Sequence, residues 1–456
     1  MIRFIYALLS CSERDSFMQA IKGIYRPRQV RSTPLWKIMD RWWERFLGDY
    51  DDCLQKRYGY LRPIVRKTGE QYLKCGLADY GFARVRCPDC SYEYLLTFSC
   101  RRKICPSCAK KRQIQFGEFL VEEVLENISH RHLVFSLPRR LRPFFHYNRR
   151  LLAKLSKCAY DTVQELMRAE AGMNKGMCAA VNVIHTWGDL LDFHSHTHGL
   201  FAWGLFDEEG NYRGAPPIPE DSIRDLFMHK VFKMLLKEDV ISEEVVENIL
   251  SWRHSGFHIY VGPLVSCLDE KSLENLGQYN ARGPVSLART SIIPGATDDE
   301  SKIEDDGAPG ISEKVIITSP EYKKKHKGNT RVLNPLDYIA EVCQHIPDKF
   351  EKTVLYYGWY SNRKRGQLKK ESRGSIQVIE EPKEESSLST SEWARLIRKV
   401  YEIDPLICPH CGSLMKIIAV IERPAVIFKI LQHLDLLGKD PPADEYRPPP
   451  STREWG

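Results

Sequence analysis

Three histidines at alternate positions, His194, His196 and His198, carry the clearest chemical signal in the sequence. Side chains alternate between faces along a β-strand, so these three imidazoles share one face. Such a row is rare unless it binds a metal. Imidazole alone suits zinc, copper or iron. Two histidines with open positions could also hold Mg²⁺ or Mn²⁺ beside substrate phosphate oxygens. His185 and Asp192 are nearby groups that could orient the ligands. The expected third ligand is His194.

Cysteine supplies the second signal. The chain has fourteen cysteines, eight of them clustered at Cys75–Cys108 and Cys408–Cys411. Clustered CxxC pairs without an export signal read as metal knuckles rather than disulfides. Cys87-Pro-Asp-Cys90 and Cys105-Pro-Ser-Cys108 are separated by fourteen residues. Four thiolates at tetrahedral spacing are zinc's usual structural donors, so these four predict a zinc ribbon. Cys75 and Cys100 are then expected to be small buried thiols. Cys408-Pro-His-Cys411 offers two more sulfurs with no second CxxC after it. Either distant residues complete that site or it folds without metal. Around the ribbon lie Arg84, Arg86, Arg101, Arg102, Lys103, Lys110, Lys111 and Arg112, with Tyr92, Tyr94 and Phe98 interleaved. Basic groups neutralise phosphates and aromatic faces stack on bases, so this cluster points to nucleic acid.

Tyr279, in LENLGQYNARGP, means little alone, because tyrosines on helices usually pack. Its company changes that. A phenol attacking a phosphodiester needs a cation on the scissile phosphate, which the histidine strand could hold. Arg282, near one helical turn on, could face the same phosphate.

Local patterning places these groups on elements. HRHLVFSLP (130–138) reads as a strand closed by proline, and 178–187 and 190–206 as two more. Residues 150–170 and 220–250 read as helical. A strand follows at 256–262, then a helix over about 270–281 that carries Tyr279. Residues 1–65 form a helical segment, 66–115 the ribbon and 116–294 the core, with a helical insertion at 215–252. Residues 295–365 extend the core, beginning with an exposed loop over 295–312. A Ser-rich linker at 366–392 leads to a small unit at 393–440 and a Pro-rich tail at 441–456. Lys and Arg number 67 against 60 Asp and Glu, a net charge of only +7, so a nucleic-acid function must rest on local patches. No stretch approaches the roughly 18 apolar residues of a membrane span, and the N-terminal apolar run is too short for a secretory signal. A soluble, cytoplasmic protein with no membrane partner is expected.

From about residue 35 to 435 the chain resembles the rolling-circle transposases of insertion-sequence family ninety-one. These belong to the nuclease superfamily named for a His-hydrophobic-His (HUH) strand. FARVRCPDCSYEYLLTFSCRRKICPSCAKKR resembles the family's zinc-binding module, HLVFSLPRRLRPFF its first nuclease strand, and HTWGDLLDFHSHTHGL its metal strand. SGFHIYVG and LGQYNARGP resemble the strand and helix of the nucleophile. NPLDYIAEVCQHIP, YYGWYSNRKRG and DPLICPHCGSLMKIIAVIE resemble its C-terminal segments. The resemblance implies an α+β fold with an antiparallel HUH nuclease sheet. It implies a structural Zn²⁺ on Cys87, Cys90, Cys105 and Cys108, and a catalytic Mg²⁺ or Mn²⁺ on His196 and His198. Tyr279 would attack single-stranded or melted DNA at element ends, keep the 5′ phosphate and release a 3′ hydroxyl. The implied partners are element-end and target DNA, near the nucleoid, with a homo-oligomer as an option.

The chain departs from the family pattern twice. Thr197 stands between the paired histidines where an apolar residue is expected. Asn275 stands where two-tyrosine members carry a first tyrosine, which implies the single-tyrosine branch. Two other readings are a DNA-binding regulator with a dead nuclease core and a metal hydrolase of small molecules. Intact His196, His198 and Tyr279 oppose the first, and the basic ribbon opposes the second.

Overall fold

The computed structural model describes residues 28–295, 311–319, 329–373 and 406–439. Most of the 295–312 loop, the basic run 323–327, most of the 366–392 linker and the 441–456 tail lie outside the described residues. The chain divides into two compact units: residues 1–44, 66–111 and 382–456 form one, and residues 45–65 and 112–381 the other. Among the described residues no helix is long and apolar enough to cross a membrane.

The strands run in chain order as β1 (Phe82–Arg86), β2 (Glu93–Thr97), β3 (His130–Ser136), β4 (Ala179–Trp187), β5 (Phe193–Ala202), β6 (Gly204–Phe206), β7 (Tyr212–Gly214), β8 (His258–Val265), β9 (Thr290–Ile293), β10 (Lys314–Thr318), β11 (Thr330–Leu333), β12 (Val354–Gly358) and β13 (Lys416–Ile421). In the first unit β13, β1 and β2 make an antiparallel sheet in that order. Apolar side chains cover this sheet at two places. Phe82 and Leu95 pack with Ile427 and Leu431 of the helix Pro424–His433, while Val85 packs with Met415. The C-terminal segment is therefore part of the first unit. This corrects the expectation of a separate unit at 393–440, because a three-residue alternation of Ile417, Ala419 and Ile421 needs a partner strand that its own segment lacks.

The second unit is built on a five-stranded antiparallel sheet in the order β12-β4-β5-β3-β8. Strands β4 and β5 are buried on both faces nearly throughout, which explains why AAVNVIHTW shows little polar alternation. On one face Ala180, Ile184 and Phe201 meet the helix Arg150–Ala171 and the inserted helix Glu220–Lys237, through Leu155, Ala159 and Phe227. On the other, Val181, Leu200 and Ala202 meet Leu120 of the helix Pro106–Glu123 and Leu276 of the helix Glu270–Asn280. The second face carries His196 and His198. A mixed fold of helices and antiparallel sheets, α+β, is what the chain adopts.

Two devices fix the elements around that face. Asp269 caps the helix Glu270–Asn280 by accepting from Ser272 N at 3.0 Å. The same helix crosses Pro106–Glu123 at two glycines: a Cβ on Gly117 would lie 2.7 Å from the Glu274 carbonyl oxygen, and one on Gly277 3.1 Å from Gly117 Cα. The β4–β5 turn, with Leu191 left-handed at φ 65°, is strapped from outside. Arg331 donates to the Leu190 carbonyl at 3.3 Å, and His345 Nε2 to that of Leu191 at 3.1 Å. With Nε2 protonated, His345 Nδ1 accepts from Thr186 Oγ1 at 3.1 Å.

Candidate functional site

The register of β4 against β5 sets His185 directly opposite His196. One ring nitrogen from each of His185, His196 and His198 lies within 4.8 Å of the other two, and all three residues are buried. Bonds to carbonyl oxygens fix which nitrogen His185 and His196 can offer. His185 Nε2 donates to the Asn280 carbonyl at 2.6 Å, so its basic nitrogen is Nδ1. His196 Nδ1 donates to the His194 carbonyl at 2.8 Å, leaving Nε2. His198 Nδ1 lies 3.0 Å from His132 Nε2, while His198 Nε2 is buried with no hydrogen-bond partner among the described residues. Outer partners of this kind are what metal-ligating histidines use to hold tautomer and ring orientation. Burial keeps the His196, His198 and His132 rings neutral. It pushes His196 down to about 3 and His132 to about 4, and it holds His198 well below the usual imidazole range; the Arg282 charge adds to each. Neutral imidazole is the ligating form, so the donor set fits a divalent metal.

His194 is not the third member of this group. Its ring is 4.9 Å from that of His196 on the same strand face, and burial likewise lowers its pKa to about 4. The reason is strand geometry. Residues 194 and 198 are about 13 Å apart along a strand, whereas a directly paired residue on the next strand is only about 5 Å away. His185 closes the group from the side. His132 and Asn280, which hold His198 and His185, carried little sequence signal. The repeat of His130 and His132 at period two in HRHLVFSLP was the one hint of the former.

Tyr279 sits in the last turn of Glu270–Asn280 on the histidine side of the sheet. Its ring meets that of His198 edge-on at 5.6 Å and that of His132 at 6.0 Å. It is 44% exposed, so a polymer can reach the phenol. The Arg282 guanidinium lies 4.5 Å from the Tyr279 ring centre, and its Nε has no hydrogen-bond partner among the described residues. The residue after Tyr279 is the one whose carbonyl holds His185, so the helix end and the histidine group are positioned together.

The cysteines do not assemble as the spacing suggested. Cys105 and Cys108 group with Cys75 and Cys100, while Cys87 and Cys90 group with Cys408 and Cys411. The structure does not bring Cys87, Cys90, Cys105 and Cys108 together as one quartet, and Cys75 and Cys100, expected to stand apart as buried thiols, lie beside Cys105 and Cys108. A CxxC pair fixes two sulfurs and leaves the other two to topology, which here threads β13 beside β1. In the first quartet Cys75 Sγ lies 3.7 Å from both Cys105 Sγ and Cys108 Sγ. Tetrahedral zinc with Zn–S of about 2.3 Å requires sulfurs about 3.8 Å apart. Backbone N–H groups point at these sulfurs: Cys100 N at Cys75 at 3.2 Å, and Arg102 N at Cys100 at 3.4 Å. The count of eight clustered thiols, twice four, was the signal for two sites.

The basic residues are not equally available. Arg84 is paired with Glu93 across β1 and β2, with one bond of 2.8 Å, and Arg86 donates to Ser91 Oγ at 3.1 Å. Arg102, Lys103, Lys110 and Lys111 are half-buried, with burial lowering the pKa of Lys110, whereas Arg86, Arg101 and Arg112 are exposed.

Comparison with known proteins agrees with this picture. Residues 45–137 match the family model described as "Transposase zinc-binding domain", and residues 179–367 match that of a "Putative transposase". The chain is 26% identical over 380 residues to the "Transposase for insertion sequence element IS801" of Pseudomonas savastanoi pv. phaseolicola, covering 80% of this chain and 85% of that one. It is 23% identical over 339 residues to "Putative transposase y4qJ" of Sinorhizobium fredii, covering 70% and 80% respectively. No solved structure matches the chain. A zinc-binding unit joined to a transposase sheet defines the class, and the chain belongs to the transposases of insertion-sequence family ninety-one. Its cysteine clusters fit metal binding, with zinc the metal named for the matching domain.

Proposed function

We propose that this transposase nicks and rejoins single-stranded or locally melted DNA at element ends through a 5′-phosphotyrosine on Tyr279. The observation that carries the reading is the exposed Tyr279 ring 5.6 Å from His198, on the face where three buried imidazoles converge. The Tyr279 oxygen attacks the phosphorus, the Oη–P bond forms and the P–O3′ bond breaks. The phenolic proton is lost, the 3′ oxygen leaves as a hydroxyl and the 5′ phosphate stays on the enzyme. Because the phosphoester energy is conserved, a 3′ hydroxyl can reverse the step on a new strand without ATP. A divalent cation held by His185, His196 and His198, Mg²⁺ or Mn²⁺, would polarise the scissile phosphate and favour the phenolate of a group whose free pKa is about 10. Arg282 balances charge on the five-coordinate transition state, a preorganised role suited to a half-buried cation. His132 and the Asn280 carbonyl hold His198 and His185 in their ligating tautomers. DNA is the partner and the nucleoid the place of action.

The test is a labelled single-stranded element end incubated with protein and Mn²⁺, followed by denaturing electrophoresis. The wild type is expected to give a covalent protein–DNA band. Tyr279→Phe should give none while binding the oligonucleotide as well as wild type. A Tyr279→Phe protein that still forms the adduct would overturn the assignment. Tyr260, whose ring is 6.1 Å from His132, would then be the tyrosine to change next.

A further inference from the structure

We propose that Cys87, Cys90, Cys408 and Cys411 bind a second zinc ion, and that this ion fastens residues 406–439 to the β1–β2 hairpin. The four sulfurs lie within 4.8 Å of one another. Cys87 Sγ is 3.5 Å from Cys411 Sγ, and Cys90 Sγ 3.4 Å from Cys408 Sγ, close to the ~3.8 Å edge of a tetrahedral zinc tetrathiolate.

The two half-sites have one design. Ser91 N donates to the Cys87 carbonyl at 3.1 Å, and Gly412 N to that of Cys408 at 2.9 Å. Cys87 N donates to the Tyr92 carbonyl and Cys408 N to that of Ser413, both at 2.8 Å. In each, the residue after the second cysteine is left-handed, Ser91 at φ 60° and Gly412 at φ 76°. Such a turn lifts both thiols of a CxxC to one side. The halves meet face to face, and Tyr92 stacks on His410 with ring centres 4.3 Å apart at 25°. Beside them Val85 pairs with Ile417, so the sheet and the thiols hold the same two segments. Nothing in the apolar packing needs Cys90 and Cys411, which are exposed while Cys87 and Cys408 are buried. In the other quartet the thiols are buried or half-buried. The ion bound by Cys87, Cys90, Cys408 and Cys411 therefore exchanges faster than its neighbour.

Metal analysis of the full chain, purified under reducing conditions, is expected to give two zinc ions per chain. Cys408→Ser with Cys411→Ser should give one, and a chelator should remove zinc from the wild type in two phases. Hydrogen exchange supplies the control for folding: the double variant should lose amide protection along Lys416–Ile421 while β4 and β5 keep theirs. One zinc per chain in the wild type would overturn the proposal. So would iron in place of the second zinc, or a Cys87–Cys411 or Cys90–Cys408 disulfide found by mass spectrometry in that preparation. Unchanged protection of Lys416–Ile421 in the double variant would overturn the fastening role.

Discussion

An imidazole binds a metal through whichever nitrogen its neighbours leave basic, so the residues behind a ligand matter as much as the ligand. Here the Asn280 carbonyl turns His185 toward His196 and His198. His185→Ala is expected to weaken Mn²⁺ binding at least tenfold and to reduce adduct formation in step, whereas His194→Ala should change affinity less than threefold. Isothermal titration of the two variants decides this, and the opposite ranking would restore the strand-only triad. The paired histidines, Tyr279 and Arg282 were all visible in the sequence, because a period-two row and a tyrosine beside an arginine are local patterns. His185 was visible only as a group that could orient ligands. Its role depends on which residue of β4 faces His196, and register between strands is set by the whole sheet.

At the scale of elements, the strands and helices of the core lie where alternation and helical spacing put them, within a few residues. Strand order and helix crossing could not be read that way. The crossing of Glu270–Asn280 over Pro106–Glu123 depends on Gly117 and Gly277, two unremarked glycines 160 positions apart whose pairing exists only after folding. A methyl group at Gly117 would press on a carbonyl of the opposite helix that cannot move without the helix itself. Gly117→Ala should therefore destabilise the protein by about 1–3 kcal/mol and shift Tyr279 relative to His198. Adduct formation should fall by more than the loss of folded protein accounts for. Gly48→Ala is the control, since a Cβ there meets nothing within 4 Å and an alanine suits a helix. Equal melting temperatures for the two variants would show that the crossing is not tight.

Over the whole molecule the charge excess is small, so DNA affinity must come from a few placed cations rather than a general field. Each phosphate neutralised on a single strand contributes a log–log salt slope of about −0.7. Replacing exposed Arg86, Arg101 and Arg112 by Gln should flatten the slope measured by fluorescence anisotropy by about 2 in total. A slope unchanged by the triple substitution would move the phosphate contacts elsewhere. At this scale the sequence was least informative. It showed every cysteine and both ends of the zinc-binding unit, but not that residues on either side of the transposase core share one sheet, because the pairing of β1 with β13 leaves no local trace.

That pairing also sets a schedule. A chain is made from its N-terminus, and Cys408 follows Cys90 by 318 residues. At about 5–20 residues per second, the ribosome needs roughly 15–60 s to span that interval. Throughout it β1 waits with an unpaired edge, while all five strands of the β12-β4-β5-β3-β8 sheet emerge first. A gene copy cut short before β13 would thus still encode that sheet, but its product could never complete the strand set of the zinc-binding unit. The zinc-binding unit's sheet is thus completed only after residues 416–421 have been made, long after the hairpin they join.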